Sequence, residues 1–107
     1  MYPNFKKVWS KTTKNYIYSI VVESDNEENL TPSFVSLWIH NRIDGLEGYT
    51  YKYAVVFDIH EKSYRINSIR YDDFFKFLLA VSKRIKSKAV IDKFVNICSA
   101  VSICVNG

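Results

Sequence analysis

Chemistry in this chain would have to come from rings and cations, because its other reactive side chains are sparse. Trp38, Tyr49, Tyr51 and Tyr53 fall close to Lys52, Arg65 and Arg70 in segments with strand periodicity. Aromatic faces on a sheet stack unpaired bases, at about 1–3 kcal/mol per base, while neighbouring Lys and Arg hold phosphates. A second basic run, Lys83, Arg84, Lys86, Lys88 and Lys93, is offset only by Asp92. A third set, Lys6, Lys7, Lys11 and Lys14, precedes the first acid of the chain. The formal charge of +4 is therefore distributed as two basic ends and one acidic loop, Glu23, Asp25, Glu27 and Glu28. That pattern suits a polyanion, or a partner of mixed charge. Each feature also has a plain explanation. Rings fill cores, cations at a helix end follow from the macrodipole, and acidic loops are solvated connections.

Catalysis and metal binding find little support. Asp58-Ile59-His60-Glu61 puts a carboxylate near an imidazole, but His40 is the only other histidine, and a metal site needs three or four convergent ligands. Turn chemistry is the better reading of this tetrad. No Gly-rich phosphate loop and no nucleophile motif is present. Cys98 and Cys104 lie six apart in an apolar segment, too far along one helix to bridge, and read as small apolar residues. No enzyme activity, metal or cofactor is expected.

The elements that must position these residues follow from periodicity. Tyr49, Tyr51, Tyr53, Val55, Phe57 and Ile59 alternate on one strand face, and Tyr64 and Ile66 resume the alternation after a polar turn. Pairing about that turn sets Asp58 opposite Arg65 and Phe57 opposite Ile66. The period then becomes helical. Phe74, Phe77, Leu78, Val81 and Ile85 share a helix face beginning near Tyr71, with Asp72 and Asp73 at its positive end.

Upstream, Tyr16, Tyr18, Ile20 and Val22 line one face of a strand, with Ile17 and Val21 on the other. Ser33 to Asn41 is the next strand, with Val35, Leu37 and Ile39 on its aliphatic face and Phe34, Ser36, Trp38 and His40 on its mixed face. Asp44-Gly45 and Gly48 supply turn chemistry to the Tyr49 strand. Phe5 to Lys14 suits a short edge strand whose lysines discourage edge-to-edge pairing. The tail, Ser87 to Val105, fits both a helical face and strict alternation. A helix is preferred because it can pack on the first one across a turn at Ser87, a suitable N-cap.

These readings predict one α+β domain over residues 1–107: an antiparallel β-meander of three to five strands with two C-terminal helices packed on one face. A chain of this length buries roughly 65% of its unfolded surface, enough for its own core. No run of about 18 apolar residues is present, and the N-terminus does not look like a signal peptide, so no membrane partner and a cytoplasmic location are expected.

Tyr53 to Lys86, through Val56-Phe57-Asp58-Ile59 and Ile69 leading to Tyr71-Asp72-Asp73-Phe74, resembles the strand–strand–helix half of the positive-cofactor type of single-stranded-DNA-binding domain. The likeness covers under a third of the chain and lacks a Gly-rich loop between those parts. It implies a topology and no membership of the family.

The functional expectation is non-catalytic binding of nucleic acid, single-stranded rather than duplex. Trp38, Tyr49 and Tyr51 would stack bases, and Lys52, Arg65, Arg70, Lys83, Arg84, Lys86 and Lys88 would hold phosphates. A homodimer through Ser87–Val105 is expected, because that segment carries more apolar side chains than one helix face needs. The alternative is a small protein-interaction module, such as an inhibitor or a viral or mobile-element host-interaction factor. It would work through Glu23, Asp25, Glu27, Glu28 and a strand edge.

Overall fold

A computed structural model describes residues 5–24, 32–41 and 50–106. Six strands precede two helices: β1 (Phe5–Thr12), β2 (Tyr16–Glu23), β3 (Phe34–Asn41), β4 (Thr50–Asp58), β5 (Ser63–Ile66), β6 (Ile69–Tyr71), α1 (Phe74–Arg84) and α2 (Lys88–Asn106). The strands form one antiparallel sheet in chain order, β1 to β6. The fold is the expected α+β meander, with six strands where three to five were expected. The sixth escaped periodicity because three residues hold barely one repeat. Its turn is Asn67-Ser68, with Asn67 in the left-handed region at φ 53°. Asparagine tolerates that conformation better than most side chains. Its Oδ1 accepts from the Ala54 amide at 3.0 Å, and its own amide donates to the Ala54 carbonyl at 2.8 Å. Asn67, by its side chain and its backbone N–H together, thus extends the β4 ladder past the end of β5.

The β4–β5 pairing is displaced by two residues from the expected one. Val56 faces Arg65, Phe57 faces Tyr64 and Asp58 faces Ser63. The cause is Asp58, whose Oδ1 accepts from the amides of His60 at 3.1 Å and Glu61 at 3.0 Å. A carboxylate that caps its own turn tightens it, and Lys62 completes the reversal at φ 54°. A shift of two keeps every side chain on its expected face.

A second correction falls on β4. Tyr53 pairs with Ile39 but Tyr51 pairs with His40, so the ladder carries an extra residue at Lys52. The unbroken alternation expected from Tyr49 to Ile59 stops there. A comparable irregularity lies between Lys7 and Trp9 on β1.

Both helices pack on one face of the sheet. Tyr18, Ile20, Val35, Leu37, Ile39, Val55, Phe57, Ile59 and Ile66 meet Phe77, Ala80, Val81, Ile85, Val90 and Phe94 in a single core. The helix α1 starts at Phe74 and not near Tyr71, because Asp73 is the N-cap. Its carboxylate accepts from the amides of Phe75 at 2.8 Å and Lys76 at 3.2 Å. Ser87 caps α2, its Oγ accepting from the Val90 amide at 3.4 Å. The tail is therefore helical. Its Val90, Phe94, Ile97, Cys98 and Val101 recur at helical spacing and turn to the core. Of its large apolar residues with described side chains, only Ile103 stands well exposed. None of the described helices is long and apolar enough to cross a membrane.

Candidate polyanion-binding cleft

The N-cap at Asp73 and the closing bond from the Ile85 amide to the Val81 carbonyl, 2.8 Å, set the length of α1. With that length its basic C-terminus ends over the sheet at the start of β2. A cleft of about 330 Å³ opens there, lined by Tyr16, Tyr18, Ile39, Tyr53, Lys83, Arg84, Ile85 and Lys86. Tyr18, Ile39 and Ile85 are its buried floor, and Tyr16 and Tyr53 are half-buried at its sides. Lys83 and Lys86 are exposed at the rim, while Arg84 is partly covered and donates through Nη1 to the Ala80 carbonyl at 2.9 Å. No acidic side chain is among the described lining residues. Tyr16 and Tyr18 lie 6.1 Å apart, tilted by 49°, so their rings are held against each other.

Both basic segments of the chain reach this end of the molecule. Lys11 pairs in register with Tyr18, and Lys14 lies in the turn that closes on Tyr16 through the Thr13 amide and hydroxyl. Lys88 begins α2 just beyond the cleft and is exposed. Cations far apart in the chain therefore share one end of the sheet. Tyr16 and Tyr18 had no place among the candidate residues, although their strand alternation beside Lys14 was a legible signal.

Other candidates are placed elsewhere. Trp38 lies on the helix-free face, between Ser19 on β2 and Ala54 on β4. It lines two grooves there. One, of about 490 Å³, is shared with Glu23, Phe34, Ser36, Val56, Arg65 and Asn67. The other, of about 310 Å³, is shared with Lys7, Ser19, Val21 and His40. Trp38 and Arg65 thus share a groove with an acid in it, and the sheet separates them from Lys83, Arg84 and Lys86. Burial raises the Glu23 carboxyl above its ordinary value. Arg70 is exposed and ion-paired with Glu61 across the β5–β6 side of the turn. Tyr49, Asp25, Glu27 and Glu28 lie outside the described residues, and only the backbone of Tyr51 and Lys52 is described.

The cleft offers two ring edges above an apolar floor and a row of cations, and no nucleophile–base pair lies among its described lining. Rings beside cations over an apolar floor are the features that suit an anion carrying a flat apolar group. No protein-family model, no curated protein and no solved structure matches this chain.

Proposed function

We propose that this protein binds single-stranded nucleic acid without catalysis, through the cleft between the start of β2 and the α1–α2 connection. The observation that supports it best is the convergence of Tyr16, Tyr53, Lys83, Arg84 and Lys86 on one cavity whose described lining carries no acid. Tyr16 and Tyr53 contact a base or sugar, and Lys83, Lys86 and Lys88 follow the phosphates on either side. Lys11 and Lys14 extend the positive field along the same end. Trp38 and Arg65, on the opposite sheet face, have no part in this reading.

Anisotropy of short fluorescein-labelled oligo-dT and oligo-U strands tests it at two salt concentrations. Neutralising four phosphates predicts a log–log salt slope of about −3. Exchanging Lys83→Glu together with Lys86→Glu removes most of the binding, whereas Lys7→Glu with Arg65→Glu on the other face leaves most of it. Tyr53→Leu weakens binding by about tenfold, the worth of one stacked base. Equal losses from the two charge pairs, or no binding at low salt, refute the proposal.

A second reading, a small protein-interaction module or inhibitor, is favoured by the outer edge of β1. Among the described strands β1 pairs only with β2, and Lys6, Lys7, Val8, Ser10 and Lys11 on it are exposed. Absence of oligonucleotide binding would leave this reading in place.

A further inference from the structure

We infer that α1 pairs antiparallel with α1 of a second copy of this chain, about a two-fold axis at Leu79. The face of α1 turned away from the sheet is apolar where solvent calls for polar residues. Phe75 is 76% exposed and Leu79 is 64% exposed, one turn apart on one stripe. Ser82 continues the stripe and is exposed as well. Within α1 the core already has Phe77, Ala80 and Val81, so nothing in the fold asks for a second apolar side. A two-sided amphipathic helix on the surface of a small domain marks an interaction site.

Charge distribution selects the occupant. Asp72, exposed and without part in capping, precedes the N-terminal end of α1, while the exposed Lys83 lies in its last turn and the exposed Lys86 just beyond its C-terminal cap. One end is acidic and the other basic, so the surface is complementary to itself turned by half a rotation. An isologous two-fold contact needs that property. An axis through Leu79 brings the end of α1 that follows Asp72 to the end of the second copy's α1 that leads to Lys86. It also sets Phe75 opposite Lys83, whose methylene stem and ammonium can cover the ring. Lys76 then faces Ser82, small enough to let the helices approach. A parallel pairing would put acid against acid and base against base. The helix is only about 16 Å long, which places the contact among small, reversible interfaces. The apolar part of this contact, Phe75 and Leu79, takes no part in the cleft, whereas Lys83 and Lys86 also line it, so Leu79→Glu is the variant that separates self-association from the binding reading.

Sedimentation velocity of the full chain over a wide concentration range tests it. The wild-type chain should pass from monomer to dimer as concentration rises. Leu79→Glu should remain monomeric with an unchanged circular dichroism spectrum, since that side chain is exposed. Asp72→Lys and Lys86→Asp should each weaken the dimer by about tenfold, each change being felt twice by symmetry. The double variant should recover to within about threefold of wild type. A wild-type chain that stays monomeric throughout, a dimer indifferent to Leu79→Glu, or a double variant as weak as either single one would overturn the inference.

Discussion

The ring of Tyr64 on β5 stacks on that of Phe77 on α1, with centroids 4.7 Å apart and planes 22° from parallel. On its other flank Tyr64 meets Phe57 at 5.2 Å and 17°. Two strands and a helix are thereby joined by one column of rings. The same column seats α1 on the sheet, and the basic C-terminus of that helix forms the rim of the cleft.

Phe77 is 1% exposed, so Phe77→Ala leaves a cavity among rings that cannot close on it. We expect a loss of about 3–5 kcal/mol in urea unfolding. Lys83 and Lys86 would lose their fixed placement with it. A loss below about 1 kcal/mol would mean that the column does not seat the helix.

Asp72 and Asp73 are adjacent acids with different duties. Asp73→Ala removes two hydrogen bonds from the first turn of α1 and should cost about 1 kcal/mol in thermal or urea unfolding. Asp72→Ala should change monomer stability by less than about 0.5 kcal/mol, its effect appearing in self-association. Equal stability losses would contradict the cap assignment.

Burial pushes the Cys98 thiol well above its ordinary value, and Cys98 packs against the core. A half-buried thiol held protonated is a poor nucleophile. Iodoacetamide at pH 8 should alkylate Cys98 much more slowly in the native chain than in denaturant, as peptide mapping over time would show. Rapid native alkylation would place α2 off the sheet.

Glu23 supplies a pH dependence with a definite sign. Desolvation raises its carboxyl above the ordinary 4.5 in the folded chain, so the fold takes up the proton more readily than the unfolded chain does. Its favourable contribution is complete below that ordinary value and is lost as pH rises through the raised one. Glu23→Gln should therefore gain stability relative to wild type as pH rises from the ordinary carboxyl value through the raised one, while the difference stays flat below the ordinary value. A difference that shrinks across that window would give the opposite sign.

Most strands, both helices and the Ser87 cap were legible in the amino-acid order because they depend on neighbours along the chain, whereas the short β6 and the Asp73 cap that starts α1 were not. Alternation marks the faces of β2 and β3, helical spacing marks Phe77 and Val81, and Ser87 sits where α2 begins. Hairpin details depended on finer competition. The Asp58 carboxylate had a choice between Arg65 across the strand and two amides in its own turn, and the nearer donors won. The extra residue at Lys52 is likewise a property of two strands paired together, which a single strand cannot announce.

The grouping of cations and rings was decided only in three dimensions. Lys83, Arg84 and Lys86 meet Tyr16 and Tyr53 because α1 runs back along the sheet for a set number of turns and stops above β2 and β4. Trp38, which the one-dimensional pattern grouped with those same cations, alternates to the opposite face of β3 and is cut off by the thickness of the sheet. Periodicity tells which side of its own element a residue occupies. Which elements then face one another is set by helix length, strand register and the burial of the shared core.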